Sequence, residues 1–263
     1  MRKIKAKLIT DNVAKLCMDA NYKLSADVEG AILQALKNET GHRARYVLKA
    51  LLENIDIARN EETAICQDTG MAIVFVSIGQ NIIVEGNIGK AINKGVKIGY
   101  EKGFLRKSVV ADPLRRVNTG DNTPAVIHYE INDGDKLELT VVPKGFGSEN
   151  MGAVGMLKPS DGEKGVIDFI VQTVKKAASN PCPPIIIGIG MGGTMEKAAI
   201  LSKKAMLVPL TQKNEDNYLA DLENKILKKI NLLKIGPMGW GGSTTALGVN
   251  MLSYPTHIAG LPV

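Results

Sequence analysis

Three glycine-rich runs limit what this chain can fold into more than any other feature: Lys144 to Asn150, Gly188 to Thr194, and Gly236 to Thr245. Each follows an extended segment. Glycine lets successive backbone N–H groups converge without a Cβ clash, so such runs suit loops whose amides grip an anion, although each is also readable as a plain tight turn. Three of them in 263 residues favour loops gathered at a site over a solenoid. With 44% hydrophobic and 23% charged residues, the chain can bury a substantial core in one or two domains. Lysines scattered over helix faces make up most of the net charge of +6. No basic stripe interleaved with aromatics accompanies them. That argues against nucleic acid and leaves a mild preference for an anionic small molecule.

Two cysteines stand in loop motifs that packing does not demand: Cys66-Gln67-Asp68-Thr69-Gly70 and Asn180-Pro181-Cys182-Pro183-Pro184. A thiol followed by an amide and a carboxylate is an odd group to bury, and a cysteine clamped by prolines has its backbone direction fixed in advance. Both read as metal ligands in rigid loops. Cys17 instead falls on the apolar face of a helix, as a small core hydrophobe. The start of the chain lacks the apolar core of a signal peptide, and no apolar run approaches the ~20 residues that span a bilayer. The expectation is a cytoplasmic protein, not bound to membranes, whose thiols are free or metal-bound.

Periodicity predicts an α/β (α+β) fold: a helical region over about 1–62, then mixed β-sheets flanked by helices over about 63–263, as one catalytic domain. Ser25 caps a second helix, and a third carries Tyr46, Val47, Ala50, Leu51 and Ala58 on one side. Extended segments follow at 72–78 and 81–84, then a helix through Ile88 and Tyr100. Val126 to Ile131 and Leu137 to Val142, separated by Asn132-Asp133-Gly134-Asp135-Lys136, predict a β-hairpin. A helix over 163–178 leads to Cys182 and a buried strand from Ile185 to Ile189. Gly188, Gly190 and Gly193 then match the form of a dinucleotide fingerprint. Its acidic partner is missing, because Ala205 to Leu210 runs into Thr211-Gln212-Lys213.

The two cysteine motifs, the three glycine runs and Asn118-Thr119-Gly120-Asp121-Asn122-Thr123-Pro124 occur in an order that resembles class I fumarases and L-tartrate dehydratases. The resemblance spans residues 8–263. It matches the amino-terminal half of the single-chain enzymes or the alpha subunit of the two-subunit ones. It implies a 4Fe-4S cluster on three thiolates, of which Cys66 and Cys182 match two and the third is expected beyond Val263. It also implies Arg106 as a carboxylate clamp, Gln67 as a donor to substrate, and backbone contacts from Gly145 and Gly147, between which Phe146 departs from the family's run of glycines. Asp68, as an orienting or proton-transferring group, and His257, beside bound substrate, are the implied catalytic residues. Their bland roles are a turn cap and a structural loop histidine; that of Arg106 is a surface charge. The implied activity is reversible hydration of fumarate to L-malate, with L(+)-tartrate dehydration as the alternative. A beta subunit would complete a heterotetramer and supply the general base. A non-catalytic iron–sulfur protein and a dinucleotide-binding oxidoreductase are the competing readings.

Overall fold

A computed structural model describes residues 1–263. In chain order the elements are β1 (Arg2–Lys5), α1 (Ala6–Tyr22), α2 (Ala26–Asn38), α3 (His42–Glu61), β2 (Met71–Gly79), β3 (Ile82–Glu85), α4 (Ile88–Lys102), β4 (Val126–Asn132) and β5 (Leu137–Lys144). They continue with α5 (Phe146–Glu149), β6 (Met156–Leu157), α6 (Gly162–Ala177), β7 (Ile185–Gly192), α7 (Met195–Ala205), α8 (Asn217–Asn231), β8 (Ala246–Tyr254) and β9 (Leu261–Pro262). The chain divides into two compact units: Met1–Leu24 with Asn54–Phe146, and Ser25–Glu53 with Gly147–Val263. The helical first 62 residues are therefore shared, with α1 in the first unit and α2 in the second. The fold is α/β, with small mixed sheets and flanking helices. No helix is long and apolar enough to cross a membrane.

In the first unit β2 is the middle strand of three, parallel to β4 on one side and antiparallel to β5 on the other. The predicted hairpin is thus absent, because β4 and β5 are both present but β2 separates them. Burial gives the reason. Ala72, Ile73, Val74 and Val76 of β2 are buried, whereas β4 is largely exposed, so the most apolar strand takes the shielded central place. The 132–136 connection crosses the end of β2 and is held there by backbone bonds from Gly79, Gln80 and Asn81. Against this sheet lie α1 and α4. Their close approach needs Gly95 and Gly99, where a Cβ would sit 2.7 Å from the carbonyl oxygens of Thr10 and Ala14. Cys17, Val13, Ile92, Val96 and Tyr100 fill the core between them.

In the second unit β7 and β8 run parallel, with α7 packed on the pair and α6 and α8 closing a core of Val166, Ile170, Leu222, Ile226, Ile230 and Met251. Gly188 and Gly190 lie within β7, where α7 leaves no room for a side chain: a Cβ would clash with the carbonyls of Ser202 and Ala198. They serve strand–helix packing, and neither lies in a phosphate-binding turn. Residues 206–216 contain no strand, so the dinucleotide reading lacks its next element. The buried residues of α3 are Ala44, Leu48, Ile55 and Ala58, while Tyr46 is exposed. The predicted face was misplaced because apolar residues lie almost all round this helix, and periodicity alone does not choose among them.

Candidate functional site

In the first unit, the segment Cys66–Gly70 enters β2, and the pairing of Met71 with Lys144 sets it beside the end of β5. Gly70, at φ +73°, is obligatory there: a Cβ would lie 2.5 Å from the Lys144 carbonyl carbon. Upstream, the Ile65 N–H donates to the Asn21 carbonyl at 2.9 Å, and its own carbonyl accepts from Asn54 Nδ2 at 2.9 Å. Downstream, Asp68 closes the turn, with Oδ1 accepting from the Gly70 N–H at 3.1 Å and Oδ2 from the Phe146 N–H at 2.8 Å. Cys66 and Gln67 are left exposed between two fixed ends.

Thr69 and Gly70 turn the other way, toward Arg106. The buried Thr69 hydroxyl donates to the Arg106 carbonyl at 3.1 Å. Fully buried Asn122 accepts through Oδ1 from the Ser108 N–H at 2.7 Å and the Val109 N–H at 3.2 Å. Its Nδ2 donates to the Gly70 carbonyl at 3.1 Å. From α4 the Tyr100 hydroxyl donates to the Thr69 and Gly70 carbonyls at 2.7 and 3.1 Å, and burial raises its pKa above the ordinary tyrosine value. Arg106 itself is exposed. A thiol, an amide and a guanidinium thus project from one hydrogen-bonded frame. A polar hollow of about 260 Å³ nearby in sequence, lined by Lys97, Glu101, Lys107, Thr119, Gly120 and Asp121, includes none of the expected site residues.

The second unit holds Cys182 by other means. Its φ is +55°, its N–H donates to the Ser179 carbonyl at 3.0 Å, and its side chain is exposed. The following Pro183 carbonyl accepts from the Met238 N–H at 2.6 Å, which joins the cysteine loop to the third glycine run. Gly239 approaches Ser179 so closely that a Cβ would lie 2.5 Å from its side chain, and Gly147 faces the Asn180 carbonyl at 3.3 Å by the same measure. Glu39, between α2 and α3, anchors the run: Oε2 accepts from the Ser243 N–H at 2.7 Å and hydroxyl at 2.9 Å, and Oε1 from the Thr40 and Gly41 N–H groups at 3.0 and 2.9 Å. His257 lies elsewhere. It follows the carboxyl end of β8, where the Thr256 hydroxyl donates to the Gly193 carbonyl at 2.9 Å, whereas Cys182 precedes the amino end of β7. Eight residues of parallel strand separate these ends, on the order of 25 Å.

Thr69, Tyr100, Asn122 and Glu39 were not expected as site residues. Thr69 and Asn122 lie inside the Cys66–Gly70 and Asn118–Pro124 motifs, and that membership was the only signal available. Nothing in the sequence distinguished Glu39 from other helix-end carboxylates.

The fumarate hydratase (fumerase) family model matches residues 10–263. The chain belongs to the fumarate hydratase family. It is a hydro-lyase of the class I fumarase type. Among its relatives, a Methanocaldococcus jannaschii protein named "Putative L(+)-tartrate dehydratase subunit alpha" is 42% identical over 97% of this chain and 92% of its own length. L(+)-tartrate dehydratase subunit alpha of Escherichia coli (strain UTI89 / UPEC) is 30% identical over 95% of this chain and 83% of its own. The Shigella sonnei protein of the same name gives the same values. For this fumarate hydratase family member the exposed thiols are the notable donors. Cys17 is sealed in the core, with burial pushing its pKa up to about 12, and so is unsuited to metal binding.

Proposed function

We propose that this chain is the alpha subunit of a two-subunit iron–sulfur hydro-lyase that hydrates fumarate to L-malate. The supporting observation is the frame in the first unit, which fixes the backbone of Cys66, Gln67 and Arg106 while leaving their side chains exposed. The donor chemistry fits a cluster: Cys66 and Cys182 are exposed, unpaired and set in rigid loops. No group of three His, Cys, Asp or Glu side chains converges in the chain. Each of the two thiolates would serve as one cluster ligand. A 4Fe-4S cluster bound there would supply a Lewis-acidic iron for C–O bond cleavage.

The chain's own residues then bind and orient. Arg106 clamps one substrate carboxylate, a geometry for which a guanidinium suits better than an ammonium. Gln67 donates from its amide, and backbone at Gly145 and Gly147 borders the substrate. Asp68 acts as a positioning residue, since both its oxygens already accept backbone N–H groups. His257 takes no step in this scheme, because its end of β8 is remote from Cys182. The general base comes from a beta subunit, in a heterotetramer. The alpha-subunit names of the relatives support such a partner. A sparse, odd set of three cysteines suits a reducing cytoplasm.

The relatives' names favour a second reading in which the substrate is L(+)-tartrate. Both reactions place negative charge beside a carboxylate and need the same clamp. The test is anaerobic co-purification with the partner subunit, followed by assays with fumarate, L-malate and L(+)-tartrate for the native chain and Arg106→Lys. Loss of one charged hydrogen-bond pair, about 1.5–3 kcal/mol, should lower kcat/KM roughly ten- to hundredfold, with KM raised. Unchanged kinetics would remove Arg106 from the site, and turnover of tartrate alone would decide for the second reading.

A further inference from the structure

We infer that Thr69 and Asn122 are positioning residues that set the Arg106 guanidinium relative to Cys66 and Gln67. The inference rests on the clamp role proposed for Arg106. Residues 66–70 and 106–109 belong to separate stretches of chain, and no strand pairing joins them. What joins them is two side chains. Thr69 bonds directly to the Arg106 carbonyl. Asn122 uses its whole amide as a bridge, with the oxygen on Ser108 and Val109 and the nitrogen on Gly70. Tyr100 seats the Thr69 and Gly70 carbonyls from beneath.

The amide is specifically suited to this place. An asparagine can accept two N–H bonds at its oxygen while donating from its nitrogen, which an aspartate cannot do when ionised. At φ +60° Asn122 also occupies a backbone conformation that asparagine tolerates better than most residues. Asn122 is wholly buried and Thr69 nearly so, and the hydrogen bonds named here account for the polar atoms of both side chains. Neither offers a free polar group to solvent or substrate. Their effect on catalysis must therefore pass through the segment they hold, and a misplacement of about 1 Å in a substrate-orienting group can cost roughly a hundredfold.

A double-mutant cycle on the two-subunit enzyme tests this, using Arg106→Lys, Asn122→Asp, Thr69→Val and the two pairings with Arg106→Lys. Asn122→Asp removes the donor to Gly70 with little change of shape. Thr69→Val removes only the hydroxyl, so it keeps the test open if Asn122→Asp does not assemble. The expected result is a fall in kcat/KM of about ten- to hundredfold for either single variant, chiefly through KM, with little further loss when it is combined with Arg106→Lys. Melting temperature of each variant is measured alongside, since destabilisation alone does not produce coupling to Arg106. If the variants are impaired but combine multiplicatively with Arg106→Lys, or if both retain native KM, the positioning role is overturned while the clamp stands. If Arg106→Lys alone is kinetically silent, the clamp reading fails first and this inference falls with it.

Discussion

The two cysteine loops reach rigidity by different routes. Around Cys66 the work is done by polar side chains, the half-buried Asp68 and the buried Thr69, Tyr100 and Asn122, each bonding to backbone from another stretch of chain. Around Cys182 it is done mainly by the backbone itself: flanking prolines, a positive φ at the cysteine, and glycines pressed against neighbouring main chain at Gly236 and against Ser179 at Gly239. The first kind of loop is sensitive to isosteric changes that remove one donor. The second should tolerate lost hydroxyls but not an added methyl group. Two loops with exposed thiols thus differ in which mutations would misplace the thiol.

The strongest way to break this comparison is Gly236→Ala. At φ +72°, a Cβ there would run into the backbone of Gly241, so both conformation and space oppose it. A loss of about 3–5 kcal/mol is expected, from a left-handed backbone combined with overpacking. Gly241→Ala is the control, because φ is +78° but nothing lies near the added atom. It should cost about 1–2 kcal/mol, the left-handed penalty alone. Urea denaturation of the full chain measures both, and equal losses would mean that close packing contributes nothing at Gly236.

Glu39 is a side-chain anchor on the glycine run of the second unit, alongside Asn231, and gives an effect of middle size. Desolvation by burial pushes its pKa up, but bonds from Gly41, Ser243 and Thr40 outweigh this and hold it below the ordinary value. A depressed pKa means that stability is fully present above the unfolded value of about 4.3 and is lost as pH falls through the folded value. Glu39→Gln should cost about 1–3 kcal/mol at pH 7. The gap between the native chain and the variant should close on acidification below about pH 4. Melting curves from pH 3 to pH 7 would show it. A gap that stayed constant with pH would mean that the charge on Glu39 is immaterial to the loop.

Much of this architecture was legible in the sequence, and the failures have physical causes. Helical spacing located α1, α2 and α4, and the apolar run at Ile185 located β7, because burial of one face leaves a periodic trace. The order of strands in the first sheet left none. Val126–Ile131 and Leu137–Val142 satisfy every local rule for a hairpin, yet a third strand 50 residues upstream inserts between them. Short-range signals are silent on such insertion. Likewise Cys66 stood out as a chemically odd loop residue, and Gln67 and Arg106 were named through the family resemblance, whereas neither route singled out Thr69 or Asn122. A side chain that acts by bonding to distant backbone looks like any loop polar residue until the backbone is in place.

The smallest effect probes the thiols themselves and concerns chemistry more than stability. Cys66 and Cys182 are exposed, while Cys17 has no exposed surface and a pKa pushed up to about 12. Folding therefore favours the protonated Cys17 thiol. That contribution is complete below the unfolded value of about 8.5 and disappears as pH rises toward the folded one. Alkylation of metal-free native chain at pH 8 should modify Cys66 and Cys182, and Cys17 only after denaturant is added, with peptide mass spectrometry reporting each site. Rates at the two exposed sites then sharpen the comparison. Thr69→Val should alter the rate at Cys66 and leave Cys182 unchanged, because only the first loop depends on that hydroxyl. Equal changes at both sites would show that the hydroxyl stabilises the chain globally, and that the Cys66 loop is not locally held by its side chains.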